Sequence, residues 1–379
     1  MAVLRIVLKY AVFASLGLLV LGFLRGISRE GGLTGGAGSS GARETVRVDH
    51  AGISDAEAEA WAREVERQLA EGVVDFIGRD LDIETFARVA LARHKLDRRT
   101  RAQVVRDVIS KRKDYVKELG NGLLANEGLT SQFLRIRRDS DGVRAVFRLV
   151  GDGGLDYIAF DLQKKAGSVQ FYDLERLGAF ASIADRIGDF IVSSMQLAAG
   201  ASDESQLRKV EARIYEIASA IRDIEMNDEL TIEEVLVLHN SLPEFIKATR
   251  FLMLRLASRH VLVGDTESAE KLIKRAVLMY GESESTLYAR LQLAEQLKDF
   301  AAAAHVAALN EIFQDPALEL LGVFHNWRAG TPGVSLDQMD AFVQKDPRLA
   351  DLRDRFLREA ALLGRSVEPE ETSAATQPT

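Results

Sequence analysis

The spacing of apolar residues changes period twice along this chain, and that change limits the fold more than any other feature. Before residue 130 apolar side chains recur every three to four positions; from Phe133 to Leu174 they alternate; from Phe180 to Leu363 the helical spacing returns. Such a pattern predicts an α+β part followed by an all-α part. Ser54-Asp-Ala-Glu57 has the spacing of a capping box and should open a helix. Trp61, Val65, Leu69 and Val73, then Phe76 and Ile77, give it one buried stripe. Asp82–Ala92 reads as a second helix, and Thr100-Arg-Ala-Gln103 as the start of a third that runs through Val104, Val108, Tyr115 and Leu119 to Gly120.

Four alternating segments follow, Phe133–Arg138, Val143–Val150, Leu155–Gln163 and Ser168–Leu174. Asp139-Ser-Asp-Gly142, Gly151-Asp-Gly-Gly154 and Lys164-Lys-Ala-Gly167 separate them with tight-turn residues, so the segments predict an antiparallel meander. Val143, Ala145, Phe147 and Leu149 mark its core face. Arg135, Arg137, Arg138, Arg144 and Arg148 read as a solvated face, with an anionic partner as the other reading.

Helices followed by a curved antiparallel sheet is the element order of the cystatin-like or nuclear-transport-factor-two-like roll, and residues 50–200 resemble one. That resemblance implies a pocket between helix and sheet, used by some members for ligands or acid–base chemistry. Tyr157, Asp161, Tyr172 and Asp173, with His94 near them, are the candidates to line it. A buried carboxyl poised near neutral pH opposite a phenol or second acid is what such chemistry needs. The competing reading places Asp161 and Asp173 at strand ends, solvated or capping.

The second half reads as helix pairs. Gln206–Ile224 pairs with Thr231–Leu242, which opens on the capping box Thr231-Ile-Glu-Glu234; Thr249–Val263 pairs with Ser268–Tyr280 across Gly264-Asp265. Small residues must stand where helices cross closely, and Ala257, Ala269 and Ala276 supply them, with Leu256 and Ile273 packing beside them and Gly264 at the turn. In this the stretch resembles a tetratricopeptide repeat, with departures at His260 and Gly281. A degenerate copy spans Thr286–Phe313, and Asp315-Pro, Ser335-Leu-Asp-Gln338 and Asp346-Pro open further helices, so the resemblance covers about 204–362. It implies a stack that binds a protein partner on one face; a stack that only packs on the roll is the other reading. Arg250, Arg255, Arg259, Arg290 and Trp327 are candidate surface residues.

The two ends differ from the middle. Residues 1–29 carry four cations and no acid, the remainder sums to −12, and Tyr10–Leu24 is uncharged and apolar. With Ile6–Leu8 and a snorkelling Lys9 the segment 6–24 is long enough to span a bilayer. Phe23-Leu24-Arg25 lacks small residues for cleavage, which favours a retained single-pass anchor at 1–25 over a cleaved signal. A bacterial inner-membrane protein with its bulk on the periplasmic side follows, although Arg5 and Lys9 balance Arg25 and Arg29 and leave the orientation open. Residues 26–49, with six glycines among Gly31–Gly41, form a tether, and 366–379 an acidic tail.

The net charge of −8 argues against nucleic acid, and the absence of cysteine removes disulfides, thiolate chemistry and a lipidated cysteine. No phosphate-binding loop, dinucleotide fingerprint or serine elbow is present, and His50, His94, His239, His260, His305 and His325 show no metal-ligand spacing. The sequence therefore predicts no cofactor and no metal. It predicts a membrane-anchored, non-enzymatic adaptor that binds a protein partner through its helices; the alternative is a roll with an enclosed pocket acting as a small-ligand binder, hydrolase or isomerase.

Overall fold

A computed structural model describes residues 46–50, 52–124, 130–139, 142–151, 154–199, 203–227, 229–297 and 301–362. The anchor expected at 1–25, the glycine run at 31–41 and the tail at 366–379 lie outside them. Among the described residues no helix is long and apolar enough to cross a membrane. The architecture is an antiparallel sheet preceded by helices and followed by many more, α+β and then all-α. Two compact units divide between Leu293 and Ala294, so the break expected near residue 200 falls inside the larger unit.

Helix α1, Asp55–Ala70, begins at Ser54 with both bonds of the capping box in place. Phe76 and Ile77 belong to a separate helix, α2 (Asp75–Asp80), because the chain turns at Glu71 and Gly72. Helix α3 is Ile83–Ala92, capped by Asp82. The third expected helix divides into α4, Arg98–Ser110, and α5, Arg112–Leu124, interrupted at Lys111. Its cap is Asp97 and not Thr100: the Asp97 carboxylate accepts from the Thr100 amide at 2.9 Å and from its hydroxyl at 2.6 Å.

The meander forms as β1 (Thr130–Asp139), β2 (Gly142–Gly151), β3 (Gly154–Lys165) and β4 (Ser168–Arg176), in that spatial order. A two-residue strand β5, Ala181–Ser182, pairs with β4 at the edge and leads into α6, Ile183–Ala198. One sheet face meets the preceding helices through an aromatic core. Phe160 sits at its centre, 5.4–5.9 Å from the rings of Trp61, Phe76, Phe147 and Phe171 and mostly edge-on to them. Burying several such rings at about 2 kcal/mol or more each supplies the main drive for folding this part.

The other sheet face is buried as well. Val146, Arg148, Tyr157 and Ala159 on it are all nearly inaccessible to solvent. Three of the five arginines of the first two strands are therefore not solvated: Arg148 is 1% exposed, and Arg137 and Arg144 are ion-paired inside the fold, whereas Arg138 stays at the surface, paired with the exposed Asp55. Helix α7 is Glu204–Met226, α8 Ile232–Ser241 and α9 Glu244–Lys247. Then α10 (Arg250–Leu262) and α11 (Thr266–Tyr280) form a hairpin, and α12 (Glu284–Leu297) follows. Gly264 makes the hairpin turn at φ 80°, where a side chain would be strained. Leu256, Ala257, Ala269, Ile273 and Ala276 are buried along the hairpin, the positions that the sequence marks for close packing.

Phe180 joins the sheet to this hairpin. It holds a left-handed backbone (φ 61°), uncommon for a bulky residue, and its buried ring lies beside Tyr288 in one apolar cluster with Met253, Leu254, Ala257, Ile273 and Ala289. Beyond Ala294, α13 (Ala301–Phe313) and α14 (Pro316–Arg328) are followed by α15 (Gln338–Lys345) and α16 (Ala350–Leu362). Within that unit Phe324 stacks on Phe356, centroids 4.8 Å apart.

Candidate functional site

Asp161 and Asp173 face each other across β3 and β4, near the middle of the sheet and not at strand ends. They are 9% and 5% exposed. Strict alternation along β4 would place Asp173 on the same side as Phe171. A register shift beside Leu162 leaves Tyr172 as an extra residue, so Phe171 pairs with Leu162 in the aromatic core while Asp173 turns to the other face.

Arg144 lies opposite Asp161 on β2, its Nε 2.7 Å from the Asp161 carboxylate, and approaches Glu284 at 3.8 Å. Arg137, its neighbour on β1, pairs with Glu284 and with Asp139 at 2.9 Å. Glu175 accepts from the Ser285 hydroxyl at 3.1 Å. Glu284 and Ser285 are the first residues of α12, so this helix start is bound to three strands by side-chain bonds. A turn further on, the Tyr288 hydroxyl donates to the Leu155 carbonyl at 3.3 Å.

The cluster holds more carboxyl groups than arginines, and burial raises their affinity for protons. Asp173 is pushed well above the ordinary carboxylate range by burial and then by Asp161. Its Oδ1 accepts the Leu174 amide at 2.8 Å and the Ala184 amide at 2.9 Å, which opposes the rise. Asp161 is raised by burial against the pull of Arg144, and Glu175 by burial and Glu284. The Asp161–Asp173 pair thus holds a proton more firmly than exposed carboxyls do. Arg144 stays charged, since Asp161 and Glu284 outweigh the burial that opposes it.

A raised carboxyl contributes stability below its unfolded value and loses it as pH rises through the folded value. Asp173, Asp161 and Glu175 should therefore make the larger unit less stable as pH climbs from the ordinary carboxylate range. His94, held down to about 4 by burial and by Arg93 and Arg101, acts oppositely: its contribution is present above its unfolded value and is lost as pH falls. Raised carboxyls and lowered histidine together predict maximal stability in mildly acidic solution.

Of the four candidates for a pocket lining, Asp161, Asp173 and Tyr172 lie in one neighbourhood. The carboxylates of the pair, after burial, raise the Tyr172 phenol. Tyr157 is opposite Arg148, four residues along β3 from Asp161, which is about 13 Å at strand spacing. None of the four enters the space between helices and sheet where the pocket was expected, since that space is filled by Trp61, Phe76, Phe147, Phe160 and Phe171. His94 belongs to another network, in which Arg93 pairs with Asp185 at 2.9 Å and Asp189 at 2.6 Å, and Arg250 reaches Asp185 at 3.3 Å.

Arg144, Glu175, Glu284 and Arg137 are members of the cluster that the pattern of apolar and polar residues does not single out. Asp161 and Arg144 stand at register-paired positions of β2 and β3, a signal present in the hairpin pattern. Nothing local connected Glu284 to them. Among the candidate surface residues, Arg259 is buried and its Nε donates to the Ile224 carbonyl at 3.3 Å. Among the described residues no group of three or more metal-ligating side chains is assembled. The chain matches no protein-family model, no curated protein and no solved structure.

Proposed function

We propose that this chain is a membrane-anchored scaffold that holds a protein partner on its tetratricopeptide-like helix hairpin, in a bacterial inner membrane with the bulk on the periplasmic side. One observation carries the reading. The hairpin uses one side for Phe180 and α12, yet Leu278 stands 87% exposed, with Leu262 and Met279 on the same two helices and Val263 in the turn between them also exposed. Large apolar side chains left in water on a helix hairpin fit a partner's apolar surface. The apolar segment 6–24 supports the anchor, and the mutual pairing of the buried charges supports a structural role for the sheet's second face.

Photo-crosslinkers placed at Leu262 and Leu278 in cells should trap one discrete protein, and Leu278→Asp with Met279→Asp should lower that adduct at least tenfold without loss of the folded chain. No adduct at either position, or one insensitive to the substitutions, contradicts the partner reading. Deleting residues 1–25 should release the chain from membranes; a full-length chain that is soluble without detergent contradicts the anchor. Removing everything after residue 203 is not an equivalent test, since it strips Phe180 and the carboxyl cluster of their cover.

The second reading, a ligand-binding or acid–base site at Asp161, Asp173 and Tyr172, draws on the proton held by the carboxyl pair. It requires α12 to lift from the sheet so that a substrate can enter. Retention of a wild-type ligand-binding signal in Asp173→Asn would end it.

A further inference from the structure

We propose that the outward face of α4 and α5 docks on an anionic lipid surface, a proposal that rests on the membrane-anchor reading above. Between Arg93 and Lys117 the chain carries ten Lys and Arg and three Asp, within a protein whose net charge is −8. Lys95, Arg98, Arg99, Arg106, Lys113 and Lys117 are exposed.

Five of them differ in pairing from the cations of the sheet, and the sixth, Arg106, donates only to the neutral Gln103 side chain. The sheet's Arg137, Arg138, Arg144, Lys164, Lys165 and Arg176 are all ion-paired. Lys95, Arg98, Arg99, Lys113 and Lys117 make no ion pair with a described residue, so their charge is turned outward. Arg99, Ala102, Arg106, Ile109, Lys113 and Lys117 follow helical spacing, opposite the buried Val104, Val105, Val108, Tyr115 and Leu119. The stripe survives the interruption at Lys111, because the Lys111 amide still donates to the Asp107 carbonyl and the Tyr115 amide to the Lys111 carbonyl, each at 3.2 Å. Ile109, 38% exposed, puts one apolar side chain among the cations, as on helices that lie in a membrane interface.

The occupant follows from charge and from the chain outside the described residues. A row of cations complements a layer of anionic headgroups, each cation near such a surface contributing about 1 kcal/mol. The stripe offers no exposed aromatic ring on which bases could stack, as single-strand binders do. Roughly 20 residues separate Leu24 from Val46, at most about 70 Å of chain. An inserted segment 6–24 therefore keeps the stripe near the bilayer at high effective concentration, where weak attraction suffices.

The chain has no cysteine, so Ala102→Cys gives one labelling site on the stripe. Energy transfer from a dye at residue 102 to acceptor lipid is measured on the full chain in phosphatidylcholine vesicles, with and without phosphatidylglycerol. Transfer should rise with the anionic lipid and collapse near 1 M salt, where the screening length is about 3 Å. The docking equilibrium constant, read from the rise in transfer over neutral vesicles, should fall about fivefold for each of Arg99→Gln, Arg106→Gln and Lys113→Gln. Equal transfer in the two vesicle types overturns the proposal, as does displacement of the label from anionic vesicles by a DNA oligonucleotide that binds more tightly. Co-flotation with neutral vesicles reports the anchor separately: its loss with salt-sensitive capture by anionic vesicles intact sinks the anchor and leaves the stripe standing.

Discussion

Gly188→Ala is expected to lower the stability of the larger unit by about 3 kcal/mol, a substantial share of the 5–15 kcal/mol typical of a folded domain. Helix α6 crosses α3 at this glycine, and an added Cβ would stand 1.9 Å from the Ala90 carbonyl oxygen and 2.7 Å from its carbon. Both atoms are backbone, so no side chain can swing aside and the helices must separate. The gain of about 1 kcal/mol that alanine brings to a helix interior is too small to offset that. Gly78→Ala is the control, because its added Cβ meets only a Val116 methyl at 3.5 Å. Denaturant unfolding of the detergent-solubilised full chain, followed by Trp61 fluorescence in a Trp327→Phe background, should show a large fall for the first and little change for the second. Equal midpoints would mean that the two helices do not meet as described.

Arg144→Met should cost about 3–5 kcal/mol near pH 8, the range for removing one partner of a buried ion pair. The substitution keeps most of the side-chain volume, so the loss is one of charge. Asp161, Asp173, Glu175 and Glu284 would then share Arg137 and, at longer range, Arg250 as counter-charge. The cost should shrink as pH falls, since Asp161 can take up a proton once Arg144 is gone. A penalty independent of pH, or one below about 1 kcal/mol, would show that Arg144 is not the centre of the cluster.

Much of the architecture was legible where the physics is local. Ser54 and Thr231 cap their helices through the boxes that their spacing announces, and four alternating segments became four strands. Ala257, Ala269 and Ala276 are buried as small residues at a close crossing should be. The candidate site was legible only in its members Asp161 and Asp173. Their pairing depends on the register shift that expels Tyr172, and alternation alone gives the opposite face. Arg137 and Arg144 look solvated when only their strands are read, since Glu284 lies more than 100 positions away. Thr100 and Asp97 both suit a helix start, and the carboxylate takes the cap. The basic stripe of α4 and α5 was hidden for another reason: a total charge of −8 averages over it.

The buried carboxyls are a structural joint between sheet and helices, and burial raises the proton affinity of Asp173 well above that of an ordinary carboxyl. The pH dependence of unfolding in wild type and Asp173→Asn tests it directly, since the difference between the two curves cancels His94 and every other group. An asparagine Oδ1 can accept the Leu174 and Ala184 amides as Asp173 does, and its amide donates where the carboxyl holds its proton. The two proteins should be equally stable near pH 5, and the variant should become the more stable one as pH rises to about 8. A variant that loses ground to wild type with rising pH would mean that the fold needs the charged carboxylate at Asp173, and would contradict the account.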